Sequence, residues 1–249
     1  MVKGLDLFRK HFKNFAGQYM LIGGTACTVL MEEAEMEFRL TRDLDIVLCA
    51  EALTGDFFKA FWAFIQAGGY EVRQKGDGTP KLYRFSKPSN ASFPYMLEIF
   101  SRRPDFIIAD DAHLAPIPAG DEAYSLSGIL LDDAYYKFIC DGTRTIDGIT
   151  VVEPGHLIPL KAKAYLDLRQ RKADGEAVDR KTVTKHLFDV FRLLLLAAVA
   201  PKIKLPGTML EDIEAFAAIA RDANPPLRDV GITRLSLDEF LYNLLLMYE

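Results

Sequence analysis

Two aspartates separated by one residue on an apolar strand constrain this chain more than any other feature of its sequence. Asp43 and Asp45 open the run DLDIVL, and residues i and i+2 of a strand point to the same face. The two carboxylates therefore project together, and Leu44 and Ile46 are expected on the opposite, buried face. Adjacent carboxylates repel each other, and a hard divalent cation with oxygen ligands is the natural compensation. The pattern predicts a metal-binding strand; the alternative is a solvent-facing strand that carries two acids by chance.

A short apolar segment and a pair of glycines precede these aspartates. Residues 19–22 are predicted as a buried strand that ends at Gly23-Gly24, and Thr25 is expected to cap a helix through about Met36. Glycine lets the backbone approach a ligand closely, and the free N–H groups of a helix N-terminus favour anions. The junction is a candidate phosphate-binding turn, although a plain strand-to-helix turn would have the same sequence.

A third acid, Glu98, interrupts the hydrophobic segment 95–100. A carboxylate inside an apolar strand is costly unless it is neutralised, paired or metal-bound. If this strand lies beside the two aspartates, Glu98 completes a three-carboxylate site. The alternative is an ion pair with Arg102, Arg103 or another basic residue.

Hydrophobic periodicity divides the chain into a mixed half and a helical half. We therefore expect an α+β fold, with a mixed β-sheet core and flanking helices at residues 1–159 and a helical C-terminal part at 160–249. Asp-Gly turns are expected at 141–142 and 147–148. Further predicted helices are 3–15, 56–68, 160–172, 182–199 and two more that open with capping boxes at 208–211 and 236–239; further predicted strands are 70–73, 82–85, 126–131, 135–139 and 150–152.

Net charge, the length of the apolar runs and the spacing of the cysteines argue against several classes of protein. The net charge of −5 argues against broad, sequence-independent binding to long nucleic acid, which usually needs a basic surface. The most apolar run, 193–200, is far shorter than the ~20 residues that span a bilayer, so a cytoplasmic protein without a membrane partner is expected. The cysteines are distant from one another and are expected to be buried reduced thiols: Cys27, Cys49 and Cys140.

The two glycines, the Asp-x-Asp strand and the isolated acid together resemble the nucleotidyltransferase fold of the DNA polymerase β superfamily. Residues 23–26 (GGTA) and 39–45 (RLTRDLD) are more closely similar to the AbiEii/AbiGii toxin family, whose members are nucleotidyltransferases of bacterial toxin–antitoxin systems. The similarity extends into the helical half. Lys161 and Arg169 match that family's lysine and following basic residue, with the spacing one residue off the usual pattern. The segment KHLFDV at 185–190 matches its two-aspartate motif, with His186 in place of the first aspartate.

The resemblance implies transfer of a nucleoside monophosphate from an NTP to an acceptor hydroxyl, with pyrophosphate as the leaving group. Two Mg²⁺ ions would be held by Asp43, Asp45 and Glu98, which form the implied catalytic set. Arg42 is an alternative to Arg39 as a phosphate contact. The implied nucleotide-binding residues are Gly23, Gly24, Thr25, Arg39, Lys161 and Asp189.

The sequence does not identify the acceptor of the nucleoside monophosphate. Some members of the resembled family modify tRNA ends, and RNA, a protein side chain or a small molecule such as an aminoglycoside would each present a hydroxyl. Basic residues in 160–185 favour an anionic acceptor, whereas the net charge disfavours it. The alternatives are an antibiotic-type small-molecule nucleotidyltransferase and a catalytically inactive binding module with the same fold. A toxin would also have an antitoxin protein as its partner.

Overall fold

A computed structural model describes residues 2–72, 82–100, 129–130, 132–197 and 202–249 of the chain. Over these residues a mixed β-sheet is flanked by α-helices, and the C-terminal part is helical, so the predicted α+β architecture is confirmed. The strands are β1 Tyr19–Ile22, β2 Asp43–Leu48, β3 Glu71–Val72, β4 Leu82–Ser86, β5 Met96–Phe100, β6 Thr143–Ile146 and β7 Ile149–Val152. The helices are α1 Leu5–Phe12, α2 Gly23–Glu33, α3 Gly55–Gly68, α4 Asp133–Asp141, α5 Pro154–Ala173, α6 Arg180–Ala197, α7 Gly207–Ala223 and α8 Leu237–Leu246, with 3₁₀ turns at Lys13–Phe15 and Leu227–Val230.

The strand that carries the two aspartates is at the centre of the sheet. The described strands follow the order β3-β4-β5-β2-β1-β7-β6. β2 pairs antiparallel with β1 on one side and parallel with β5 on the other. Glu98 lies on β5, so its strand is the neighbour of the strand that carries the two aspartates, as expected.

β2 is buried on both of its faces, which is consistent with its central position in the sheet. Leu44 and Ile46 are buried, as expected from the alternation of the run DLDIVL. On the N-terminal side, α1 and α3 contribute rings that contact one another edge to face or tilted, among them Phe8, Phe12 and Phe64. Aromatic burial of this kind supplies much of the hydrophobic stabilisation of a small sheet.

The helical half begins earlier than the sequence predicts. α5 starts at Pro154, which occupies the first turn, where a missing N–H costs nothing. Pro159, expected to precede the helix, lies inside it. The predicted division between residues 159 and 160 therefore falls within α5, and the two-domain organisation stays a prediction.

The predicted strand at 135–139 is wrong, because these residues belong to α4. Asp132 caps this helix by accepting hydrogen bonds from the N–H groups of Ala134 and Tyr135 at 2.8 and 3.1 Å. Tyr135, Tyr136 and Ile139 are buried at helical spacing, a pattern that a short apolar run does not distinguish from a strand. The predicted strand at 126–131 lies largely outside the described residues.

One of two expected Asp-Gly hairpin turns and one of two expected capping boxes are present. Asp147 and Gly148 have φ of 49° and 79° and join β6 to β7 as the predicted hairpin turn, while Gly142 ends α4. Ser236 and Glu239 form the predicted capping box of α8. The box predicted at 208–211 is wrong, because α7 begins at Gly207 after Pro206 and has no side-chain cap. Among the described residues, none of the helices combines the length and apolar character that crossing a membrane requires.

Candidate active site

The three acids singled out in the sequence line one cleft. In the parallel register of β2 and β5, Asp45 lies directly opposite Glu98, and Asp43 precedes Asp45 on the same face. Asp45 and Glu98 are only 8% and 6% exposed. The cleft measures about 330 Å³. Its other lining residues are Gly24, Arg39, Leu40, Thr41, Arg42, Tyr95, Met96 and Lys185.

Gly23 is required by the position of Asp45. Ile22 is the register partner of Asp45, so the residue after β1 turns directly beside that carboxylate. A Cβ atom at Gly23 would lie 1.7 Å from Asp45 Oδ2, and Gly23 has a φ of +63°, a conformation that glycine adopts readily. The next residue, Gly24, faces Thr41 Oγ1, which a Cβ would approach to 2.7 Å. The glycine pair therefore makes room for cleft side chains as well as for any ligand.

Thr25 has a different place from the predicted one. The helix α2 begins at Gly23 and ends at Glu33, so Thr25 is inside its first turn and is not the cap. Its side chain is buried, and its hydroxyl donates a hydrogen bond to the carbonyl of Asp43 at 2.6 Å. This bond fastens the start of β2 to α2 and so holds the Asp-x-Asp segment against the glycine turn.

Glu98 is engaged by a residue that the sequence did not single out. Arg84 on β4 is its antiparallel register partner, and Arg84 Nε donates to Glu98 Oε1 at 2.7 Å while Nη2 donates to the same oxygen. The ion pair that was the alternative to metal binding is therefore present, with Arg84 as the basic residue. Arg102 and Arg103 lie outside the described residues.

A second ionic cluster lies behind the cleft, around Asp189 of α6. Arg39 holds this carboxylate with two hydrogen bonds, Nε to Oδ1 at 3.1 Å and Nη2 to Oδ2 at 2.9 Å. Lys161 Nζ of α5 lies 3.1 Å from Oδ2, and both Lys161 and Asp189 are fully buried. Arg192 Nη1 lies 3.8 Å from Oδ1. Of these four residues only Arg39 lines the cleft, so the structure places Lys161 and Asp189 behind it.

The charges of this cluster control the ionisation of Asp189. Burial by itself would raise the pKa of Asp189, but the charges of Lys161 and Arg39 outweigh it and hold the pKa below its ordinary value. His186, buried on the same helix, contributes in the same direction. Burial also raises the pKa of Cys27 to about 12, so this thiol stays protonated, as expected of a structural cysteine.

Part of the predicted metal site fits a divalent cation and part does not. Asp43 and Asp45 offer hard oxygen donors on one face of the cleft, which suits Mg²⁺. Glu98 is paired with Arg84 through Oε1, and this positive charge competes with a cation for the carboxylate. Within the described part of the chain, no group of three or more His, Cys, Asp or Glu side chains is arranged to hold a metal ion. The role of the three acids as metal ligands stays a prediction.

Comparison with known proteins assigns no family to this chain. No family model matches the chain, so the similarity to the AbiEii/AbiGii family is not confirmed, and no curated protein matches it. Among solved structures, it is similar to an antigenic nucleotidyltransferase-like protein from Paracoccidioides brasiliensis, with 17% identity, a TM-score of 0.45 and coverage of 92% of this chain and 93% of that one. Similarity at this level does not assign an activity to the chain.

Proposed function

We propose that this chain is a metal-dependent nucleotidyltransferase that moves a nucleoside monophosphate from an NTP to an acceptor hydroxyl. The observation that carries the proposal is the meeting of Asp43, Asp45 and Glu98 in one cleft that Arg39 and Lys185 also line. Carboxylates attract a divalent cation and basic side chains attract a polyphosphate. A cleft with both matches a metal-bound nucleoside triphosphate, in which the two kinds of charge occur together.

Each group of the cleft has a role in this proposal. Asp43 and Asp45 hold the metal, which when bound would stabilise negative charge on the phosphoryl oxygens. The backbone at Gly24, in the first turn of α2, offers N–H groups and the positive end of the helix dipole to the phosphates. Arg39 contacts the same phosphates from beside this turn, since a Cβ atom at Gly24 would lie 3.4 Å from Arg39 Nη2.

Lys161 and Asp189 act through Arg39 in this proposal. An arginine side chain has many rotamers, and fixing one of them before the substrate arrives reduces the entropy lost on binding. The two hydrogen bonds to Asp189 fix Arg39, and Lys161 helps to keep that carboxylate ionised. Both residues are therefore positioning residues, and neither is expected to touch the nucleotide.

The proposal predicts metal-dependent transfer that depends on Asp45. Purified protein would be incubated with cell extract, Mg²⁺ and the four NTPs labelled at the α-phosphate. With wild type we expect labelled product in the macromolecular or the small-molecule fraction. Residues that only orient a metal ligand typically change activity by roughly 10–100-fold when mutated. Asp45 is proposed as a ligand itself, so we expect Asp45→Asn to lose more transfer activity than that. Asp56→Asn is the control, since Asp56 is exposed on α3 and outside the cleft. Equal transfer by wild type and Asp45→Asn would refute the assignment.

The same assay identifies the acceptor. We propose RNA, as in a toxin that modifies RNA and is restrained by an antitoxin protein, because Arg42 and Lys185 add positive charge at the cleft. Label that RNase removes supports this acceptor. Label that only protease removes identifies a protein side chain, and label in the small-molecule fraction identifies an antibiotic-type enzyme.

A binding module without catalysis is the second candidate. The observation that favours it is that Arg84 engages Glu98, since an inactive protein that retained its acids would neutralise them with neighbouring bases. A non-catalytic module would bind labelled NTP without transferring it, with or without Mg²⁺. Filter retention of NTP alongside the transfer assay separates the two candidates.

A further inference from the structure

We propose that Arg84 supplies the positive charge at Glu98 in the working site, so that the cleft binds one divalent cation, at Asp43 and Asp45, and not two. This inference rests on the proposed function and deepens it. The two-ion arrangement expected from sequence needs Glu98 as a ligand of the second ion, and the structure gives that carboxylate to a guanidinium.

The sheet itself aligns the groups concerned. Arg84, Glu98 and Asp45 are register partners on the adjacent strands β4, β5 and β2. Register partners project from the same face of a sheet, so the three side chains form a row across it. Along this row the charge is positive at Arg84 and negative at Glu98 and Asp45. The pairing of β4 with β5 thus places the guanidinium at Glu98, and the pairing of β2 with β5 places Asp45 on the other side of Glu98.

Burial makes the pair strong enough to persist. The side chains of Arg84 and Glu98 are 20% and 8% exposed, so solvent screens their attraction weakly. Arg84 donates through Nε and Nη2 to a single oxygen, Glu98 Oε1, and hydrogen bonds between two charged groups are stronger than those between neutral groups. A second divalent cation at Glu98 would have to displace this guanidinium or lie beside it, and repulsion opposes the second arrangement.

The positive charge of Arg84 reduces the need for a second cation, and Arg39, Arg42 and Lys185 add further positive charge to the same cleft. Arginine cannot lose its proton under any physiological condition, so the positive charge of Arg84 is permanent. Arg84 is in this respect a fixed substitute for an exchangeable ion.

Counting bound Mn²⁺ tests the inference without any measurement of activity. The full chain would be titrated with Mn²⁺ alone, with free ion measured by electron paramagnetic resonance. We expect one Mn²⁺ per chain for wild type, and two for Arg84→Gln, which removes the guanidinium from Glu98. Two ions a few ångströms apart also couple magnetically, and this spectroscopic signature is expected only in Arg84→Gln. Arg42→Gln removes a positive charge from the same cleft but keeps the Arg84 guanidinium at Glu98, and we expect it to bind one ion.

The outcomes separate this inference from the function on which it rests. Two ions on wild type, a count of one for Arg84→Gln, or two ions on Arg42→Gln would each overturn the role of Arg84 while leaving metal-dependent transfer in place. No bound Mn²⁺ on wild type would overturn both. If Arg84→Gln fails to give the wild-type circular dichroism spectrum, the wild-type count decides the matter by itself.

Discussion

At the scale of single residues, Gly23 matters both for the backbone conformation and for the space around the Asp45 carboxylate. Its φ of +63° turns the chain out of β1, and the space where a side chain would project is filled by the Asp45 carboxylate. Two independent constraints therefore require glycine here, one conformational and one steric.

We predict that Gly23→Ala displaces Asp45 and abolishes transfer, because the new Cβ would lie 1.7 Å from Asp45 Oδ2. Gly148→Ala is the matched control: Gly148 also has a positive φ, +79°, but nothing lies within 4 Å of its added Cβ. The control is expected to lose about 1–2 kcal/mol of unfolding free energy from backbone strain alone. Gly23→Ala is expected to lose more in the same urea titration, and an equal loss with retained transfer would contradict the steric argument.

Arg84 is the residue that sequence reasoning missed at the site. The signal available was a single basic residue in the segment LYRFS at 82–86, and the sequence left open a pair between Glu98 and some unspecified base. Which base it is depends on the register of β4 on β5. A nine-residue connection at 87–95 does not set that register, because longer hairpin loops adopt many conformations.

At the scale of elements, capping decides where the C-terminal helices begin. In α8 the Ser236 hydroxyl accepts from the N–H of Glu239 at 3.2 Å, and Glu239 Oε2 accepts from the N–H of Ser236 at 2.8 Å. In α7 the same type of sequence begins one residue inside the helix, at Thr208, where no reciprocal cap forms. A proline just before the helix fixes the start at Gly207 and overrides the motif.

We predict that Ser236→Ala lowers the free energy of unfolding by about 0.5–2 kcal/mol, because the N–H of Glu239 loses the hydroxyl that accepts its hydrogen bond. Thr208→Ala, at the exposed and uncapped position, is expected to change it by less than about 0.5 kcal/mol. Chemical denaturation of both variants at one pH checks the difference. A loss of the same size in Thr208→Ala would mean that its hydroxyl does cap α7.

At the scale of the whole molecule, Asp189 ties the helical half to the sheet half. The Arg39–Asp189 pair joins residues 150 positions apart, and Lys161 connects the same carboxylate to α5. These buried contacts hold α6 against the segment that enters β2. The cleft is therefore assembled from both halves, because Lys185 of α6 lines it and Asp189 of α6 holds Arg39.

We predict that Asp189→Asn destabilises the protein by about 3–5 kcal/mol at neutral pH, since it removes the charge that pairs with the fully buried Lys161. Glu71→Gln is the control, because the Lys87–Glu71 pair is about half exposed and such pairs contribute about 0–1 kcal/mol. Urea unfolding measures both. Similar values for the two variants would show that the buried cluster does not hold the halves together.

The pH dependence of the free energy of unfolding follows from the lowered pKa of Asp189. A group whose pKa is lower in the folded than in the unfolded state stabilises the fold above its unfolded value, about 3.9 for aspartate. That stabilisation is lost as the pH falls from there through the folded pKa. Wild type is therefore expected to lose unfolding free energy below about pH 4 more steeply than Asp189→Asn, and parallel curves would contradict this.

The sequence by itself determined what depends on neighbouring residues. The alternation of DLDIVL put Asp43 and Asp45 on one face, the apolar runs located the central strands, and Ser236-x-x-Glu239 marked a helix start. These follow from local geometry, in which i, i+2 and i, i+3 relations are set by the backbone. The short apolar run at 135–139 failed because local geometry allows both a helix and a strand there.

The tertiary structure decided the partners: Asp45 beside Glu98, Arg84 on Glu98, and Asp189 shared by Arg39 and Lys161. Strand register and helix docking are set by the sum of many weak packing contacts between distant segments, and no single local pattern encodes that sum. The acids of this cleft can therefore be found from the sequence, whereas the counter-ions that determine their chemistry depend on the fold.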